Sequence, residues 1–224
     1  MKKNLTEVVF ILDRSGSMSG LEKDTIGGYN SMLEKQRTGE GEVIISTVLF
    51  DDKVEVIHDR KPIGGIKPIT RNEYYVRGCT ALLDAIGGAI HHIGKLHKNM
   101  PQDDVPTKTL FIITTDGMEN ASKKYTYDKI KKMVEKKKNK KNWEFIFLGA
   151  NIDAVSVANQ FGVSKNRAVR YECDSAGTKL NFEVMTNLLS RARACESSAM
   201  MAEDFADEAL LGAVKEDYKK RHKA

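Results

Sequence analysis

The chain has 224 residues, 41% hydrophobic and 30% charged, with a formal net charge of +5. That length suits one α/β domain with a full core, and the composition is that of a globular protein, not a disordered or fibrous one. The small basic excess is weak evidence for nucleic acid, because a solvated lysine face gives the same total, and no apolar run approaches the ~20 residues of a membrane-spanning helix.

Val8-Val9-Phe10-Ile11-Leu12 reads as a strand buried on both faces, as in the middle of a parallel sheet. It stops at Asp13, and Asp13-Arg14-Ser15-Gly16-Ser17 then offers a carboxylate and two hydroxyls at every second position. In extended chain alternate side chains point the same way, so Asp13, Ser15 and Ser17 can converge. Gly16 lets the turn tighten, and a helix that follows directly would bring its free N–H groups to the same spot. Hard oxygen ligands at the carboxyl end of a sheet strand suit Mg²⁺, Mn²⁺ or Ca²⁺.

Residues 18–36 read as a helix with Leu21, Ile26, Tyr29, Met32 and Leu33 on one stripe. Gly27-Gly28 weakens it by ~1 kcal/mol per glycine, and close packing against the sheet would account for the pair. Residues 43–50 and 54–58 are strand-like, and Asp51-Asp52-Lys53 between them is too short for a crossover, so they form an antiparallel hairpin. Residues 62–68 read as loop and 72–77 as a short helical turn. Residues 80–98 make the clearest helix, with Leu82, Ile86, Ala89, Ile93 and Leu96 in register. A second apolar strand, 108–115, also ends on an aspartate, Asp116. There follow an amphipathic helix over 126–138, a third buried strand over 143–148, a helix over 152–161 and a last strand over 168–171. From Ser175 onward the pattern is helical, with a break near Glu196-Ser197-Ser198.

This order predicts a three-layer, doubly wound, Rossmann-like α/β fold: a mostly parallel sheet with one antiparallel edge hairpin and a C-terminal helical extension. The expected division is a domain over 1–195 and the extension over 196–224. In the extension Met200, Met201, Phe205, Leu210, Leu211, Val214 and Tyr218 recur at near-helical spacing. Packing on the domain's own surface is the plainer expectation, and self-association or partner docking through this face the alternative. Cys79, Cys173 and Cys195 are sparse and form no Cys-x-x-Cys pair, which fits a reducing compartment. With no secretory segment fitting the first residues, the expected location is cytoplasmic.

Two further loops carry oxygen ligands: Gly78-Cys79-Thr80 opens the long helix and Asp116-Gly117 closes the second buried strand. Parallel neighbours in a doubly wound sheet present such loops to one crevice. Each residue alone has a bland explanation in turn chemistry or helix capping. Together, Asp13-x-Ser15-x-Ser17, Thr80 and Asp116, in that order on those elements, make the chain resemble a von Willebrand factor A-type domain carrying a metal-ion-dependent adhesion site. The resemblance covers roughly residues 5–195. It implies that Asp13, Ser15, Ser17, Thr80 and Asp116 hold a divalent ion, Mg²⁺ with Mn²⁺ or Ca²⁺ as alternatives. It also implies a protein partner whose Asp or Glu completes the coordination, and binding instead of catalysis. Charge agrees, since two carboxylates balance one divalent ion while Mg²⁺ keeps exchangeable waters for an outside oxygen.

Two other functions draw some support from the residues. Asp13 could be the nucleophile of a metal-dependent phosphoryl-transfer enzyme, but phosphatases of the haloacid-dehalogenase type carry a second aspartate two residues on, where this chain has Ser15. The lysine runs Lys136-Lys137-Lys138 and Lys140-Lys141 could touch nucleic acid, but cations at a helix end are ordinarily solvated, and no aromatic interleaving accompanies them. His91, His92 and His97 fall on different sides of a helix and make no metal cluster.

Overall fold

The computed structural model describes residues 2–223. Among them, six strands form one sheet in the order β3-β2-β1-β4-β5-β6. β1 (Lys2–Asp13) lies between β2 (Glu42–Phe50) and β4 (Pro106–Thr115), parallel to both. β5 (Glu144–Gly149) and β6 (Ala168–Arg170) extend the parallel side. β3 (Val54–Pro62) is the single antiparallel strand and forms the edge hairpin with β2.

The unbroken apolar runs reflect burial on both faces. Val8, Phe10 and Leu12 of β1 face one core with Leu110, Ile112, Ile146 and Leu148. Val9 and Ile11 face the other with Phe111, Ile113, Phe145 and Phe147. The first core is closed by α1 (Glu22–Arg37) and α5 (Ser175–Ala194), the second by α2 (Leu82–Asn99), α3 (Tyr127–Lys141) and α4 (Ala154–Gln160). This is the expected three-layer arrangement.

Beyond residue 195 the chain forms α6 (Ser198–Asp204) and α7 (Gly212–Arg221). Met201, Phe205, Leu210, Leu211 and Val214 are buried in the same core as α1 and α5, while Met200 stays 48% exposed. Arg167 anchors α6 from below β6. Its Nε pairs with Glu144 at 2.9 Å and its other nitrogens donate to the carbonyls of Ala202 and Phe205. The apolar face of this region is therefore spent on the molecule's own core.

Three local expectations are corrected. The first helix begins at Glu22, not at residue 18, because residues 16–18 close a 3-10 turn and Gly20, at φ +92°, redirects the chain. The helical turn expected over 72–77 lies earlier, over 70–74, where Tyr74 N donates to Thr70 O at 2.9 Å, and the rest is loop; the buried Tyr74 side chain donates to Asp13 O at 2.5 Å. Gly28 owes its lack of a side chain to helix α5 and not to the sheet, for a Cβ there would run into the Phe182 ring.

Candidate metal centre

β1 is where the chain changes direction of winding, its neighbours β2 and β4 having been added on opposite sides. A crevice opens at such a point beyond the carboxyl ends of the strands, and Asp13 and Asp116 stand at its two lips. Asp13 ends β1; Oδ1 accepts from Ser15 N at 2.7 Å and Oδ2 from Thr115 Oγ1 at 2.5 Å. Ser17 Oγ donates to Asp116 Oδ1 at 2.5 Å and lies 3.0 Å from Ser15 Oγ. With the Ser17 proton given to Asp116, Ser15 is left to donate to Ser17. Thr80 joins from the third loop. A Cβ on Gly117 would stand 3.2 Å from Ser17 Oγ and 3.4 Å from Thr80 Oγ1, so glycine leaves room for both hydroxyls. The structure thus brings Asp13, Ser15, Ser17, Thr80 and Asp116 to one place.

Each loop is held by residues that the sequence reading left out. Arg14 points away from the cluster, as alternation requires, and is fully buried. It donates to Asp51 Oδ2 at 2.9 Å, Glu55 Oε2 at 2.6 Å and Glu73 O at 3.2 Å, pinning the first loop to the β2–β3 hairpin. Arg77 Nε reaches the same Asp51 oxygen at 2.8 Å. In sequence Asp51 belongs to a short hairpin connection; its buried ion pairs involve partners far along the chain, which no local pattern reveals. Thr80 is not the N-cap of its helix: Ala81 holds that position, and no side chain of its own caps α2. Cys173 Sγ approaches Asp116 Oδ2 at 3.6 Å, a long-range contact equally invisible in sequence.

Burial governs the electrostatics. Asp13 and Asp116 are each 1% exposed. Burial pushes the Asp13 carboxyl up to about 6, against the hydrogen bonds from Thr115 and Ser15, and the neighbouring Asp116 adds to the rise. Burial also raises Asp116, opposed by Ser17 and Cys173. For Asp51 burial acts in the same upward direction, but donation from Arg77, Lys53 N and Arg14 wins and holds it below the usual range. Among the described residues no cluster of three or more His, Cys, Asp and Glu is arranged for a metal. A cation between Asp13 and Asp116 would therefore depend on the hydroxyls as well.

The histidines and lysines lie elsewhere. His97 bonds buried Glu7 and stacks edge-on against Trp143, and His92 pairs with Asp59 at 2.9 Å. Lys138, Lys140 and Lys141 occupy the last turn of α3, with Lys137 over the Trp143 ring at 4.2 Å. Because α3 leads into β5, this basic end lies at the amino ends of the parallel strands, opposite to the crevice.

No protein-family model matches the sequence, and no curated protein is significantly similar to it. Solved structures do match. The von Willebrand factor domain of the type V pilus tip protein Mfa5 of Porphyromonas gingivalis superposes with TM-score 0.56 at 12% identity, covering 82% of this chain and 94% of that one. A von Willebrand factor type A protein of Catenulispora acidiphila gives 0.53 at 15% identity, covering 84% and 42%. Proximal thread matrix protein 1 of the mussel byssus, solved with zinc in its adhesion-site motif, gives 0.55 at 14% identity over 83% of this chain. The chain spans only 46% of that mussel protein. Strand order, the single antiparallel edge strand and the helical layers agree with these likenesses: the chain has the fold of a von Willebrand factor type A domain.

Proposed function

We propose that the chain is a protein-interaction module that holds a divalent cation and recruits a partner through an acidic side chain completing the ion's coordination. One charge imbalance carries this reading. Five carboxylates are buried among the described residues: Glu7, Asp13, Asp51, Asp116 and Glu144. Glu7 pairs with Arg60, Asp51 with Arg14 and Arg77, and Glu144 with Arg167. Asp13 and Asp116 have hydrogen-bond donors only. Buried carboxylates without a counter-charge are costly, and a divalent cation supplies that charge.

The residues fit such an ion. Asp13 and Asp116 would provide charge, and Ser15, Ser17 and Thr80 neutral oxygens; the all-oxygen set favours Mg²⁺, Mn²⁺ or Ca²⁺. When bound, the ion supplies a Lewis-acidic position open to an outside carboxylate. The zinc-bearing motif of the mussel protein supports divalent-ion binding on this fold. The phosphoryl-transfer reading is disfavoured because Ser15, and no second carboxylate, stands two residues beyond Asp13. The nucleic-acid reading is disfavoured by the placement of the lysines away from the crevice.

Calorimetry with Mg²⁺ and Mn²⁺, on the wild type beside Asp13→Ala and with and without a small carboxylate, tests the proposal. Binding that vanishes in the variant while circular dichroism is unchanged supports it. No binding under any condition would overturn it.

A further inference from the structure

The loop that follows Asp116 does more than turn the chain: it grips Thr80 and the head of α2, which begins two residues later. Asn120 Oδ1 accepts from Thr80 N at 2.8 Å, and Asn120 N donates to Thr80 O at 3.0 Å, so one asparagine holds both sides of the Thr80 backbone. Ala121 N reaches the same carbonyl at 3.2 Å. Glu119 Oε2 accepts from Leu83 N at 2.9 Å and Ser122 Oγ from Asp84 N at 3.0 Å, capping N–H groups that the helix itself leaves free. The grip is reciprocal. The Asp84 carboxylate accepts from the backbone N–H groups of Lys123, Lys124 and Tyr125 at 2.9–3.0 Å. Glu119 Oε1 in turn takes Ala121 N and Ser122 N at 3.0 and 2.7 Å, stiffening the loop from within.

These contacts have a consequence for the candidate centre. Helix α2 starts with Ala81 at its N-cap and no cap from its own side chains; Ala81 N donates to Asp51 O at 2.8 Å, while both backbone groups of Thr80 itself are taken by the loop after Asp116. The position of its hydroxyl, next to Gly117 and Ser17, is set from across the crevice, four residues after Asp116. The other half, Asp13 to Ser17, is held through Arg14 to Asp51 and meets the Thr80 segment through Gly16 N to Gly78 O at 3.1 Å and Arg77 N to Arg14 O at 3.0 Å. Resting on the metal-site reading above, we propose that Asn120 is the positioning residue for Thr80, and that it makes Thr80 and Asp116 one rigid half of the centre. An ion or a partner carboxylate that draws on either residue then acts on both.

The test is a double-mutant cycle on the full chain, read by Mg²⁺ affinity, with Asn120→Ala, Thr80→Ala and the pair. Loss of an outer-shell partner of a metal site typically costs about 10–100-fold in affinity, and Asn120→Ala is expected to fall in that range. In the Thr80→Ala background it should cost less than about threefold, because the residue it positions is gone. Amide exchange of Thr80 in chelator is the metal-free readout, expected to quicken in Asn120→Ala while the β1 amides keep their protection. Full additivity of the two losses, or an unchanged Thr80 amide, would overturn the assignment. If Asp13→Ala abolishes Mg²⁺ binding and Asn120→Ala leaves it intact, the positioning role fails and the metal site stands. If the wild type binds no divalent ion, both fall.

Discussion

Arg14 Nε and Arg77 Nε donate to the same oxygen, Oδ2 of Asp51, at 2.9 and 2.8 Å, with Asp51 and Arg14 fully buried. This shared carboxylate ties the first loop and the 72–79 segment to the β2–β3 hairpin. Removing it strands a guanidinium in the interior, which costs about 3–5 kcal/mol for a broken buried pair. Asp51→Ala should lower the urea midpoint by a corresponding amount, and should weaken metal binding though Asp51 is no ligand. A variant as stable as the wild type would show that Glu55 alone compensates Arg14.

The metal-free protein should carry a pH signature from Asp13. Its folded value, about 6, lies above the ordinary 3.8, so the folded state holds the proton more tightly. The stabilisation from this group is full below the unfolded value and is lost as pH rises through about 6. In chelator, Asp13→Asn should therefore exceed the wild type in stability by roughly 2–3 kcal/mol near pH 8 and by little near pH 4. Urea melts of both proteins across that range measure it. A difference that does not vary with pH would refute the burial argument.

Gly117→Ala separates binding from stability. The added methyl would stand 3.2 Å from Ser17 Oγ and 3.4 Å from Thr80 Oγ1, a crowding relieved by turning those hydroxyls aside. The fold should lose about 1 kcal/mol, the low end of the cost of overpacking. Mg²⁺ affinity measured by calorimetry should drop by about tenfold or more, as for a disturbed ligand set. Equal affinity would place the ion away from these two hydroxyls.

The C-terminal helices should be indispensable to the fold. Phe205 is fully buried and its carbonyl accepts from Arg167. Phe205→Ala should cost about 3–5 kcal/mol, the range for emptying a large aromatic site. Truncation before Ser198 should expose the α1–α5 core and abolish cooperative thermal unfolding. A truncated chain that melts as sharply as the full one would make α6 and α7 an appendage.

Sequence legibility followed the range of the physics. The runs 8–12 and 108–115 announced central strands because burial on both faces needs apolar residues at every position. The two-sided stripe of α2 and the short Asp51-Asp52-Lys53 connection were equally local. The start of α1 was misjudged because a 3-10 turn and a positive-φ glycine leave no mark in the apolar spacing. The candidate residues Asp13, Ser15, Ser17, Thr80 and Asp116 were legible because two of the strand ends they stand on were legible.

What the sequence by itself determined was the order of elements and the oxygen-bearing loops at their ends, since both arise from neighbours a few positions apart. Tertiary structure alone decided which charges meet. Asp51 finds Arg14 and Arg77, Glu144 finds Arg167, and Asn120 finds Thr80, across separations of 23 to 40 residues. Asp13 and Asp116, at the carboxyl ends of two neighbouring parallel strands, find no cation among the described residues. Such pairing depends on strand order and depth of burial, which are properties of the assembled sheet and not of any segment of the chain.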